Sequence, residues 1–557
     1  MRGGEVRFAL LLAGVGLATC AALFVGAGHL GLALLPVAAA AAGWALWRLP
    51  LRYLALLLFA LAIFVENPGD QPAAGLWQSP FYPLGRLVYE NLNKATGIGS
   101  LRFALIDIGI LVLLALTGAR VATGAIRYRG ASCLSASAIV AFAALVALEV
   151  WGLLRGGSFK NSLWQIRQLG YLPLLTLAFQ TAFRGQRDRA LLGGLLLAAA
   201  VFKTGLGLYF LHAICKPQGI VPPYVTTHGD TVLFVAAVMI ALAFLYERRT
   251  PQTLLLAVAI VLVVGEGIII NDRRLAHAAL IAGLVTDYLL IPRSPRKRAL
   301  GRVVLFSLPF LIAYGVVGWR STKPIFSPVQ TVRSMFVSQE DRSTDARDIE
   351  NYNLTRTMRG NLLLGTGFGH EYAELSRADD ISHLFEQYRY IPHNGLLGLW
   401  AFSGLVGFTL MWMPLMVGVF LAARSYRRAT RPVDRAAALA AVSVVIVYAL
   451  QAYGDMGLQS WEGLFITAAA LGVAGRLADE TGAWPRARTV AGSLADGGPP
   501  PLGSAPATSK GSRGGLPPSV AGPSTSASHA RPTLLTNSSP ALPRLSTREP
   551  RLSPFPA

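Results

Sequence analysis

The strongest constraint on this chain is a succession of apolar runs separated by short polar segments. A helix needs roughly 20 apolar residues to cross the hydrocarbon core of a bilayer. About fourteen runs meet that measure, centred near Gly16, Ala40, Leu58, Ile110, Ala143, Thr176, Leu196, Ala237, Ile260, Ile281, Leu311, Phe408, Ser443 and Ala468. With 53% hydrophobic and 14% charged residues and a mean hydropathy of +0.48, the chain is too apolar for a soluble globule. The expected fold class is an all-α integral membrane protein with about 12–14 transmembrane helices, since neighbouring short runs can merge or turn back.

A net charge of +21 invites a nucleic-acid reading. The basic residues instead fall in short clusters between apolar runs, in alternate loops, as positive-inside topology signals do. Arg48 and Arg52, the Arg120–Arg129 cluster, the Arg184–Arg189 cluster, Arg248 and Arg249, the Arg293–Arg302 cluster and the Arg424–Arg435 cluster share one side with the N-terminus. That side is the cytoplasm, both termini are expected there, and no nucleic-acid partner is expected. Cys20, Cys133 and Cys215 show no metal-ligand spacing, so no metal site is expected.

The opposite loops hold the polar length of the chain, and the largest runs over 320–392. A connection that long is functional or disordered, and within it Leu375 to Tyr388 reads as an interfacial amphipathic helix. The resulting division is an N-terminal transmembrane bundle over 1–319 with about 11 spans, a large, partly helical loop over 320–392, and C-terminal transmembrane helices over 393–480. Residues 481–557, rich in Pro, Ser, Gly and Arg, read as a disordered cytoplasmic tail.

Several residues carry chemistry in this pattern. His393 follows Pro392 at the start of a span, and helix geometry of about 100° per residue puts Trp400, Gly404 and Gly407 near one face, with Gly404 about 16 Å deeper. The plain alternative is an interfacial histidine beside a small-residue packing seam. Arg273 and Arg274 stand at the outer end of a span, where positive charge is disfavoured; they suit phosphate oxygens or a structural salt bridge with Asp272. Arg342, Arg347, Arg356 and Arg359 alternate with acids in the large loop, a pattern that also describes a solvated helical face. Gly365-Thr366-Gly367-Phe368-Gly369 reads as a sharp backbone turn. Among ionisable groups in the apolar runs, Asp107 and Glu266 are the candidates for buried pairs, whereas Glu149, Lys203 and Asp287 lie near span ends, within reach of the interface.

Together these residues resemble the O-antigen ligase and polymerase superfamily of bacterial membrane glycosyltransferases. The family's hallmark is a His followed by Asn, Ser or Arg, nine residues, then Gly-x-x-Gly after a large periplasmic loop. His393-Asn394, nine residues and Gly404-Leu405-Val406-Gly407 fit it. The turn Gly365, Gly367, Gly369 is similar to the one that ends the family's loop helix, with Asn361-Leu362 where a Pro is frequent. Arg347, with Arg356, matches the arginine preceding that turn, and Arg273 or Arg274 matches one opening an earlier span.

The resemblance implies a metal-independent, inverting transfer of glycan from a polyprenyl diphosphate donor to an acceptor hydroxyl, with no cofactor, at the periplasmic face of the bacterial inner membrane. It implies His393 as the catalytic base, Arg273, Arg274, Arg347 and Arg356 as diphosphate ligands, and Asn394, Gly404, Gly407, Gly365, Gly367 and Gly369 as helix-packing and turn positions. Ligase and polymerase share these motifs, with a lean toward ligase. A transporter of the same lipid-linked sugars would distribute its charges through the spans; here they concentrate at the outer face.

Overall fold

The computed structural model describes residues 13–21, 30–68, 77–97, 103–222, 224–333, 342–377, 382, 386–454 and 456–485. The chain divides into two units, Met1–Arg488 and Thr489–Ala557. The placement of both termini and the expected disordered tail from residue 486 on lie outside the described residues, as does half of the expected Leu375–Tyr388 helix; its described residues, 375–377, 382 and 386–388, lie in bends and turns, not helix.

The described body is helical, and each expected span centre falls on a helix. The main elements begin with α1 (Leu30–Arg48), α2 (Leu51–Phe64), α3 (Tyr82–Tyr89), α4 (Leu105–Ala122) and α5 (Ser132–Leu154). They continue with α6 (Phe159–Ala182), α7 (Gln186–Tyr209), α8 (Asp230–Glu247), α9 (Pro251–Asn271) and α10 (Arg274–Leu290). After α11 (Pro295–Gly318) come the loop helix α12 (Arg342–Gly360), then α13 (Gly395–Arg428), α14 (Pro432–Gly454) and α15 (Trp461–Glu480).

Eight of the described helices are long and apolar enough to cross a membrane, and nine if the bent pair Pro36–Arg48 and Leu51–Phe64 counts as one span. Part of the difference from about 12–14 has a physical source. Helices α6 and α15 pack in the same bundle but spend positions on polar partners: Arg167 on α6 meets Asp107 on α4, and Glu462 on α15 meets Lys203 on α7. Such pairs lower a helix's hydropathy without exposing charge to lipid.

Helices α8, α14 and α15 occupy the centre. Every residue from Trp461 to Ala478 is buried, and α14 packs against α8, α10, α13 and α15. Side-chain caps start several helices: Thr250 accepts from Thr253 N (3.2 Å), Ser294 from Lys297 N (3.1 Å) and Ser460 from Gly463 N (3.0 Å), each satisfying an otherwise orphan amide. Helix α11 is the exception to tight packing. Of its residues only Gly318 is buried, so its apolar side chains are left for lipid.

The expectations for intramembrane charge are partly corrected. Asp107 is fully buried and held by Arg167, with Tyr171 Oη donating to it at 3.0 Å. Glu266 is exposed, not in a buried pair. Conversely Lys203 does not reach the interface: it is buried between Asp230 (2.7 Å) and Glu462. Glu149 and Asp287 are buried too, accepting from Ser162 (2.5 Å) and Ser443. Hydroxyl and carboxylate partners on other helices, some adjacent and some several helices away in sequence, stabilise what position along the span alone suggested would be wet.

Candidate active site

Short connections force α13 and α14, like the other consecutive spans, to run antiparallel, which brings the large loop and the 210–229 segment to one end of the bundle, here the loop face. The site there starts from a broken helix. Gly404 in α13 has φ 63° and ψ −177°, a conformation open essentially to glycine alone. The break releases carbonyls before it and amides after it, and backbone groups buried without partners are costly. The loop supplies those partners: Thr366 N donates to Ala401 O (3.1 Å) and Gly367 N to Phe402 O (2.9 Å), while Leu405 N donates to Leu362 O (2.9 Å) and Val406 N to Leu363 O (3.1 Å).

The glycine turn fits because it lacks side chains where backbones meet. A Cβ on Gly404 would strike the Leu363 carbonyl, and one on Gly365 (φ 68°) would strike Phe402. Gly367 (φ 82°) lies against Gly152 of α5, and Gly369 (φ 84°) against Ser158. Arg155 donates to Asn361 Oδ1 (3.1 Å) and Gly365 O (3.2 Å), and Gln165 bridges Gly369 N (2.7 Å) to the carbonyls of His370 (3.1 Å) and Tyr390 (3.0 Å). Arg155 and Gln165 were not singled out in the sequence, since nothing local marks a residue whose partners lie 200 positions away.

With the turn anchored, α12 is pinned across the start of α13. Glu350, Asn353, Leu354 and Thr357 form its buried stripe, at the 3–4 residue spacing of one helical face. His393 lies just before α13, whose N-cap is Asn394, accepting from Leu397 N at 3.1 Å. Asn394 Nδ2 in turn donates to Asn351 Oδ1 (3.0 Å). The expected continuous helical face from His393 through Gly404 is therefore corrected at both ends: the histidine precedes the helix and the glycine interrupts it. Gly407 does pack closely, its Cα facing Leu148 of α5.

Glu350 is the partner the sequence did not disclose. Its carboxylate accepts from His393 N (3.0 Å) and lies 3.3 Å from His393 Nδ1. A carboxylate only accepts, so Nδ1 carries the proton in this contact, and in the neutral imidazole that tautomer leaves the lone pair on Nε2. The histidine side chain is 35% exposed against 9% for Glu350, so a buried anion holds a ring that is open to solvent. Burial pushes the nearby Tyr372 phenol well above its ordinary range, and the Glu350 charge adds to the shift. That tyrosine stays protonated.

The arginines separate by position. Arg273, half-buried, lies over the Tyr224 ring (4.9 Å to the centroid) with Nη2 3.2 Å from His228 Nε2. Its Nε is buried and has no hydrogen-bond partner among the described residues. Arg274 opens α10 beside it. On α12, Arg347 continues the stripe of Glu350 one turn outward, whereas Arg356, nine residues on and so about 180° around the helix, is exposed and stacked on Tyr352 (5.1 Å). The structure thus brings Arg347 to the histidine's side of α12 and leaves Arg356 on the other.

The outer end of α14 joins the two groups. Gln451 donates to His228 O (2.6 Å), behind Arg273, and Met456 N donates to His393 O (3.0 Å). The arrangement is a carboxylate-held imidazole and a set of guanidinium groups on one face, suited to taking a proton and to binding an anion.

Comparison with known proteins follows the same residues. Residues 266–412 match the family model described as O-Antigen ligase, a segment that contains Arg273, Arg274, the whole of α12, the glycine turn, His393, Gly404 and Gly407. No curated protein matches the chain.

Proposed function

Taking the O-antigen ligase match over residues 266–412 as premise, which supports an O-antigen ligase/polymerase superfamily and a role in surface polysaccharide biosynthesis, we propose that the chain transfers a glycan from a polyprenyl diphosphate carrier to an acceptor hydroxyl. On this reading the loop face is periplasmic, because the Arg-rich loops at the other end mark the cytoplasm. The membrane is the bacterial inner membrane. A polyprenyl chain stays in lipid there while its diphosphate reaches the loop face.

The acceptor oxygen attacks the anomeric carbon, the bond from that carbon to the phosphate oxygen breaks, and the configuration inverts. His393 Nε2 takes the acceptor's proton, a step worth roughly 10²–10⁴-fold, and Glu350 holds the ring in the tautomer that can accept it. The departing diphosphate carries the bond's electron pair. Arg273, Arg274 and Arg347 meet its charge, with Arg273 Nε a donor that no described residue engages; the planar fork of a guanidinium fits phosphate oxygens bidentately.

The observation that carries this reading is the Glu350–His393 pair, a buried carboxylate on Nδ1 of a partly exposed imidazole ring. The test is surface glycan in a strain lacking the native protein, complemented with His393→Ala at equal membrane level and resolved by size. Loss of capped lipid with accumulation of long carrier-linked chains identifies a ligase. Single repeat units alone identify a polymerase. Wild-type glycan from the variant would overturn the assignment of His393 as base.

A further inference from the structure

At the end of the bundle opposite the site, an apolar cleft of about 370 Å³ opens between α7, α8, α9, α14 and α15. That is more than twice the roughly 150 Å³ apolar cavity that takes up benzene in an engineered protein. Small residues create it: Gly193 on α7, Ala437 and Ala440 on α14, and Ala469 on α15 leave the volume, and Phe59 of α2 also lines it. An apolar cleft of this size in a membrane protein is a place for a hydrocarbon chain.

The charges at its mouth decide which chain. Arg189 is fully engaged, by Asp434 (2.7 Å) and Glu480 (2.9 Å). Glu247 is engaged by Arg435 (2.6 Å) and by Tyr426 Oη (2.7 Å). Every carboxylate named at this rim therefore already has a cation. Arg248 lines the cleft and is exposed, and its guanidinium makes no hydrogen bond or ion pair among the described residues; Arg249 beside it stacks on the Tyr246 ring (5.9 Å to the centroid). The unspent charge at the mouth is positive.

We propose that this cleft binds one acyl chain of an anionic glycerophospholipid, with the lipid phosphate on Arg248 and Arg249. The site is separate from the glycan-transfer face and does not depend on the reading given to it.

The test uses the full-length protein in phosphatidylethanolamine nanodiscs containing a trace of phosphatidylglycerol or phosphatidylcholine with a diazirine in one acyl chain. Adducts are mapped by peptide mass spectrometry. Phosphatidylglycerol should label the Ala437–Ala440 and Ala469 peptides in excess over phosphatidylcholine, by about fivefold per arginine engaged, the gain expected from one basic residue at an anionic lipid surface. The double substitution Arg248→Gln, Arg249→Gln should bring the two lipids level. Ala440→Phe should remove cleft adducts while labelling of lipid-facing α11 persists, and that persistence shows the variant to be inserted. Equal labelling by both lipids in the wild-type protein, or adducts on α11 alone, would overturn the proposal; so would cleft adducts undiminished in Ala440→Phe.

Discussion

Replacing Gly404 by Ala tests the framework of the site directly. At φ 63° and ψ −177° an alanine carries strain of about 1–3 kcal/mol. Its Cβ would also meet the Leu363 carbonyl and Leu364 N, and backbone cannot swing aside as a side-chain tip can. Relief requires the turn to lift, which endangers four backbone hydrogen bonds, those of Thr366, Gly367, Leu405 and Val406, each worth about 1 kcal/mol net. Losing one or two on top of the strain gives about 2–5 kcal/mol. At 1.36 kcal/mol per factor of ten, that is roughly 30- to 5,000-fold faster amide exchange if the contact opens locally. Hydrogen–deuterium exchange on peptides covering 362–369 and 401–407 reads those four amides. Gly407→Ala is the comparison, since its Cβ meets the flexible Leu148 side chain and Ser403, and it should change exchange far less. Unchanged protection in a well-inserted Gly404→Ala protein would refute the argument that the loop repairs a glycine-dependent break.

Other outcomes follow from the same geometry. Glu350→Gln should lower glycan transfer by about 10–100-fold, a part of the roughly 10²–10⁴-fold that general-base catalysis supplies, because His393 N and Nδ1 are met by separate carboxylate oxygens and the amide puts an NH2 donor in place of one of them; transfer equal to wild type at matched levels would exclude it as the residue positioning His393. Arg347→Ala should weaken use of the lipid-linked donor, whereas Arg356→Ala, on the far face of α12, should change it less than about twofold, the scale of an exposed contact; donor titration of the two variants decides. Asp107→Asn should destabilise the bundle by at most about 3 kcal/mol, the low end of the cost of breaking a buried ion pair, since Arg167 is part-exposed while Asp107 is fully buried, seen as earlier thermal unfolding in detergent. Arg155→Ala, which removes donors to Asn361 and Gly365, should increase proteolysis within 361–370 without abolishing membrane insertion.

The sequence by itself determined that the chain is a multi-span helical membrane protein, and it marked His393, Gly404 and Gly365–Gly369 as special. Hydrophobic runs are local and long, and glycine and histidine announce unusual backbone and unusual titration wherever they stand. Span counting was less sharp, because α6 and α15 carry buried charges whose partners sit on other helices. Tertiary structure alone decided what the marked residues do. Whether Gly404 packs on a helical face or breaks it depends on the loop that meets the freed backbone groups. Glu350 looked like any acid in a mixed-charge run until the fold laid α12 over the start of α13, and Arg347 and Arg356, equal as letters, were separated by the direction α12 faces. Lys203 reads as a snorkelling end residue until Asp230 and Glu462 are seen closing on it. Contacts between residues tens to hundreds of positions apart are set by how helices pack, and no local pattern encodes them.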